Sequence, residues 1–194
     1  MKTSTQPAPV LSFENEQAWA AWLAKHHATS TGVWLRLAKK SPAAQTLSHA
    51  QALEAALCQG WIDGQKKAGD DEHWLQRFTP RSARSIWSKV NRDKALALID
   101  SGRMRAAGRK EVERARADGR WEQAYDSART AAVPDDLQAA LDRSSKARRF
   151  FATLDAANRY AILWRLQTAK KAETRSSRLD KFIGMLERGE KLHP

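Results

Sequence analysis

The sequence predicts an α+β protein: a small antiparallel or mixed sheet with covering helices in the N-terminal part, followed by a helical C-terminal half. Three observations lead there. Gly32 to Lys39 alternates apolar and other side chains, as a half-buried strand does. Two further β-like segments, Trp61–Lys67 and His73–Thr79, flank Ala-Gly-Asp-Asp-Glu in the manner of a hairpin. From Trp87 onward, apolar residues recur at helical spacing.

The elements follow in order. Residues 1–12 read as a flexible, Pro-containing tail, residues 13–100 as the α+β part and residues 101–194 as the helical part. Phe13, Trp19, Trp22 and Leu23 mark a first helix over about 15–27, with Ser12 or Asn15 as its cap. Ser41-Pro42 ends the first strand. Ser48-x-x-Gln51 is a capping box ahead of a second helix that stops near Gly60. Pro80 closes the hairpin. A helix over Ser88–Asp100 should end at Gly102. The charged segment Ala106–Ala117 has little apolar surface apart from Val112 and alanines and is expected to ride on the outside. Pro134-Asp135-Asp136 opens another helix, Ser144 or Ser145 caps the next, and Asp155 the one after. The last helix starts near Glu173, carries Leu179, Phe182, Ile183 and Leu186 as a core stripe, and ends before Gly189. Arg175, Arg178 and Lys181 are expected opposite that stripe.

Composition narrows the function classes. At 42% hydrophobic and 29% charged, with eight Trp, the 194-residue chain has the makings of a globular protein with a bulky core. Cys58 is the single cysteine, so an intramolecular disulfide and a thiolate metal cluster are excluded, and burial is its expected state. No run of apolar residues is long enough for a transmembrane span and no export signal is visible, which predicts a cytoplasmic protein. The net charge is +12, and its excess is central: residues 73–120 hold thirteen basic and five acidic side chains. Such a concentration favours an anionic partner, a phosphorylated metabolite or nucleic acid among them. Arg-rich helices that merely raise solubility would look the same.

Motifs of catalysis are scarce. The five His make no metal-ligand spacing, and the glycine signatures of nucleotide and acyl-transfer sites are missing. No metal or cofactor is expected. Asp63, in the aromatic turn Trp61-Ile62-Asp63-Gly64, is a weak catalytic candidate, and a structural pairing with Arg77, Arg81 or Arg84 is the preferred reading.

The stretch from His73 to Arg92 has no Asp or Glu. Within it Arg77, Thr79, Arg81, Arg84, Ser85, Ser88 and Lys89 form the candidate anion site, with Trp61, Trp74 and Trp87 as a candidate aromatic platform. A helix opening near Ser88 would add free N–H groups. A purely structural role, with serines capping and arginines tying sheet to helices, weighs equally. Lys170, Lys171, Arg175 and Arg178 form a weaker second basic site.

Several blocks in the same order, GWIDG, RFTPRSARSIWSKVN, SGRM, GRW, VPDDLQAAL and AKKAETRSSRLDKFIGMLERG, resemble the YdeI/OmpD-associated family of bacteriocin-protection proteins. The resemblance implies a role in bacterial protection against bacteriocins or cationic antimicrobial peptides and carries over no catalytic residue. A net charge of +12 opposes direct capture of a cationic peptide, so an indirect intracellular route is expected. Three functions thus compete: a non-enzymatic binder of an anionic partner, a nucleic-acid-binding protein, and an enzyme using Asp63 as acid or base with Arg77 or Arg81 holding a small anionic substrate.

Overall fold

The computed structural model describes residues 8–39 and 47–194. The expected end of the first strand at Ser41-Pro42 lies outside them. Two compact units divide the chain: the first runs to Trp87 and resumes over Asn91–Gln123, and the second comprises Ser88–Val90 and Ala124–Pro194.

The first unit holds a four-stranded mixed sheet in the order β1-β2-β4-β3: β1 (Val10–Leu11), β2 (Val33–Ala38), β3 (Trp61–Ala68) and β4 (His73–Pro80). The expected hairpin is β3–β4, and β2 pairs antiparallel with β4. Strand β1 carries no signal in the sequence. Residues 1–12 were expected to be a tail, yet Val10 and Leu11 pair in parallel with Trp34 and Leu35. A strand of two residues is too short for alternation to be read from sequence.

Alternation along β2 buries Val33, Leu35 and Leu37 on the inner face. That face meets α1 (Glu16–His26) and α2 (His49–Cys58), both capped as expected: Asn15 accepts from the Ala18 N–H at 2.9 Å, and Ser48 and Gln51 form the capping box. Trp19 and Leu23 of α1 are fully buried, and the Trp19 Nε1–H donates to the Ala52 carbonyl oxygen at 3.0 Å. Trp19 also meets Phe78 edge-on at 5.7 Å. An irregular register between Asp63 and Lys66 bends β3. The buried Gln76 amide satisfies the Gly64 carbonyl there at 2.9 Å.

Helices α3 (Lys89–Asp100) and α4 (Ala106–Ala117) follow. Helix α4 exposes its charged side and buries a narrow one, Gly108, Val112 and Ala115. Gly108 allows the approach. A Cβ there would stand 2.6 Å from the carbonyl oxygens of Leu57 and Cys58. Small residues on a charged helix therefore serve close packing, and hydropathy alone conceals them.

The second unit contains α5 (Asp135–Arg143), α6 (Ser145–Thr153), α7 (Ala156–Gln167) and α8 (Ala172–Glu187). Ser144 and Asp155 cap α6 and α7. Leu137, Leu141, Phe151, Ile162, Leu166, Phe182 and Leu186 make its core, with Leu179 and Ile183 packed against them. Among the described residues, no helix is long and apolar enough to cross a membrane.

Candidate functional site

Within the first unit, Arg77, Arg81 and Arg84 do not share one face. Arg81 is 6% exposed, its guanidinium carbon 3.5 Å from the centre of the Trp87 ring, and its Nη1–H donates to the Ile86 carbonyl oxygen at 3.3 Å. Arg84 is exposed on a turn where Ser82 N–H donates to Ser85 Oγ at 2.9 Å. Lys89, in the second unit with Ser88, pairs with Asp126 at 2.7 Å. The helix there begins at Lys89, and Ser88 makes an isolated bridge with Tyr125.

Beside Arg81 lies a cluster that the sequence reading did not assemble. Arg120, 8% exposed, directs Nε at both Asp118 oxygens, 2.8 Å each, and its Nη1–H at the Ser85 carbonyl oxygen at 2.5 Å. Arg114 pairs with Glu111, whose pKa burial raises against the pull of Arg114, Arg81 and Arg120. Trp121 packs on Trp87 with ring centres 4.9 Å apart. These contacts hold the loop after β4 in place.

The candidate platform is also divided. Trp61 and Trp87 are 1% and 2% exposed, and the Trp61 Nε1–H donates to the His27 carbonyl oxygen at 3.1 Å. Trp74 is half-buried beneath Lys66, whose Nζ lies 4.3 Å from its ring centre. Asp63 pairs with His49 at 3.1 Å, whereas an arginine partner was expected. In the second unit Arg175 binds Asp136 and Arg178 donates to the Arg165 carbonyl oxygen at 2.5 Å; Lys170 and Lys171 are exposed. The two arginines are thus bonded to neighbouring elements, where free positions opposite the core stripe were expected.

The sheet's outer face brings Arg77 and a different tryptophan together. Alternation that buries Val33, Leu35 and Leu37 must send Trp34 and Arg36 the other way. The register sets Arg77 beside Trp34, Leu75 beside Arg36 and Lys67 beside Leu75, and β1 adds Val10 at Trp34's other side. Val10 is 54% exposed. Lys67 Nζ lies 4.1 Å and the Arg77 guanidinium carbon 5.9 Å from the Trp34 ring centre. Arg36 is neutralised by Asp70, whose pKa the pairing holds well below the carboxylate range. Neither Lys67 nor Arg77 has an ion-pair partner among the described residues. Arg77 Nη2 reaches the Thr31 carbonyl oxygen at 3.5 Å, its Nη1 is buried without a hydrogen-bond partner among the described residues, and burial lowers its pKa. Gly32 makes room for this side chain: a Cβ there would lie 2.9 Å from Arg77 Nη2. Trp34 and Lys67 are not picked out by the sequence because both stand outside the basic block, Trp34 by more than thirty residues. Only strand alternation, carried through the register, points to them.

Among the described residues, no group of three His, Cys, Asp or Glu is placed to hold a metal ion.

The fold and this face define an α+β protein with a basic, aromatic sheet surface. The chain belongs to the family described as a domain of unknown function, DUF8412, which it matches over residues 11–111, and its residues 130–189 match the family described as "Bacteriocin-protection, YdeI or OmpD-Associated". VPDDLQAAL and AKKAETRSSRLDKFIGMLERG fall inside the second match, GWIDG and RFTPRSARSIWSKVN inside the first. No curated protein and no solved structure matches the chain.

Proposed function

We propose that the protein is a non-enzymatic binder of an anionic partner, held on the outer face of the sheet, in a protective or stress role of the kind the second family's description names. The observation that supports this is Trp34 lying within reach of two cations, Lys67 and Arg77, that no carboxylate neutralises among the described residues. An indole beside two cations suits a ligand that has both negative charge and a flat face. Single-stranded nucleic acid is such a ligand, with phosphates for the cations and bases for the ring, and it is the favoured specific reading. The enzyme reading is weaker. Asp63 is engaged by His49 on the inner face, away from Arg77.

The test is titration of labelled oligodeoxythymidylate and, separately, of inorganic tripolyphosphate, over a range of salt. Wild type should bind the oligonucleotide with a log–log salt slope of about 0.7 per phosphate engaged. Trp34→Ala, Lys67→Gln and Arg77→Gln should each weaken it about tenfold. The charge-matched control Lys146→Gln, at an exposed position on α6, should leave affinity nearly unchanged. Binding of tripolyphosphate alone keeps the anion reading and removes nucleic acid. Failure of both probes, or equal loss in the control, overturns the assignment.

A further inference from the structure

A cavity of about 600 Å³ opens in the first unit among α1, α2 and α4. We propose that it binds a small amphiphilic carboxylate, an apolar chain with one anionic head, independently of the sheet face. Its walls are cut short by alanines: Ala20 and Ala24 of α1, Ala55 of α2 and Ala107 of α4. Larger side chains at these positions would fill the space between the helices. The close approach of α4 to Leu57 and Cys58 at Gly108 bounds one side. The volume falls within the range of small-molecule sites, about 300–1,000 Å³.

The charged groups of the lining are Glu16, Arg103 and Arg105. Arg103 lines the cavity with its charge already compensated, Nη2 at 2.6 Å from Glu16 and Nη1 at 2.9 Å from Glu54. Arg105 also lines it, is exposed, and among the described residues has no ion-pair partner. Its backbone is held where the Arg105 N–H donates to the Cys58 carbonyl oxygen at 3.2 Å. An inorganic anion would meet Arg105 but gain nothing from the alanines. An uncharged hydrocarbon would leave Arg105 without a counter-ion. A monocarboxylate with a short alkyl chain uses both, and a guanidinium suits its two oxygens.

Cys58, the chain's single cysteine, lines the same cavity and supplies a built-in reporter. The test uses the full chain, octanoate and its neutral counterpart octanol, calorimetry for affinity, and the rate of Cys58 reaction with methyl methanethiosulfonate for location. Octanoate should bind and slow Cys58 modification about tenfold, and octanol should bind about tenfold more weakly. Arg105→Gln should bring octanoate down to the level of octanol. Ala24→Trp, a substitution at an exposed wall position, should abolish binding of both, while thermal melts confirm that each variant folds. Trp34→Ala should change none of this, which separates the site from the sheet face. Octanoate that fails to bind, that leaves Cys58 modification unchanged, or that binds Arg105→Gln and Ala24→Trp as it binds wild type overturns the proposal.

Discussion

Arg175 grips both oxygens of Asp136, Nε to Oδ2 at 2.7 Å and Nη2 to Oδ1 at 2.8 Å, while its Nη1–H donates to the Leu166 carbonyl oxygen at 2.7 Å. One side chain of α8 thereby ties α5 and the end of α7 together. Arg175→Gln should lower stability by about 1–2 kcal/mol in thermal or urea unfolding, solvent screening keeping the cost below that of a fully buried pair. The pairing pulls the Asp136 pKa below its ordinary value. Its stabilisation is therefore complete above the unfolded carboxylate pKa and is lost as pH falls through the lowered folded value. The gap between wild type and Arg175→Gln should be constant near neutrality and should shrink below about pH 4. A gap that persists at lower pH would contradict the ion-pair account.

Arg81 and Arg84 should separate in mutagenesis although they are three residues apart. Arg81 is buried against the Trp87 ring, so Arg81→Gln should cost about 1–3 kcal/mol in unfolding experiments. Arg84 is exposed on its turn, and Arg84→Gln should stay within about 0.5 kcal/mol. Equal costs would show that the loop is held in some other way.

Gly108→Ala should destabilise the first unit by about 1–3 kcal/mol, because the new methyl meets the Leu57 and Cys58 carbonyl oxygens at 2.6 Å and also the Met104 sulfur. Helix propensity alone predicts the opposite sign, a gain of up to about 1 kcal/mol. The direction of change in the melting temperature decides between them.

Asn158 is 1% exposed and binds the chain's last residues to α7: its Oδ1 accepts from the Leu192 and His193 N–H groups at 3.0 and 2.9 Å, and its Nδ2–H donates to the His193 carbonyl oxygen at 3.2 Å. Asn158→Leu leaves these groups without partners. Hydrogen exchange at Leu192 and His193 should rise at least about tenfold, with a loss of about 1–3 kcal/mol in stability. Unchanged exchange there would mean that backbone packing alone orders the end.

The elements were legible where a local rule sufficed. The Ser48–Gln51 capping box, the Asn15 and Asp155 caps, the β3–β4 hairpin and the stripe on α8 are each marked by a pattern within one contiguous segment of sequence, so local pattern identifies them. Strand β1 and the close approach at Gly108 of α4 were not legible, since two residues carry no period and a glycine has no side chain for hydropathy to register.

The basic block shows the same division at the site. Its composition established that cations gather between His73 and Arg92, but the direction of each depends on long-range register and packing. Arg77 joins Trp34 and Lys67 because β4 is hydrogen-bonded to both β2 and β3, bringing together residues more than thirty positions apart. Arg81, four residues on, turns inward because the strand has ended and Trp87 and Trp121 provide a surface for it. Charge is a property of each residue and can be counted along the chain; which charges share a face is a property of pairing between distant segments, and it exists only once the sheet has formed.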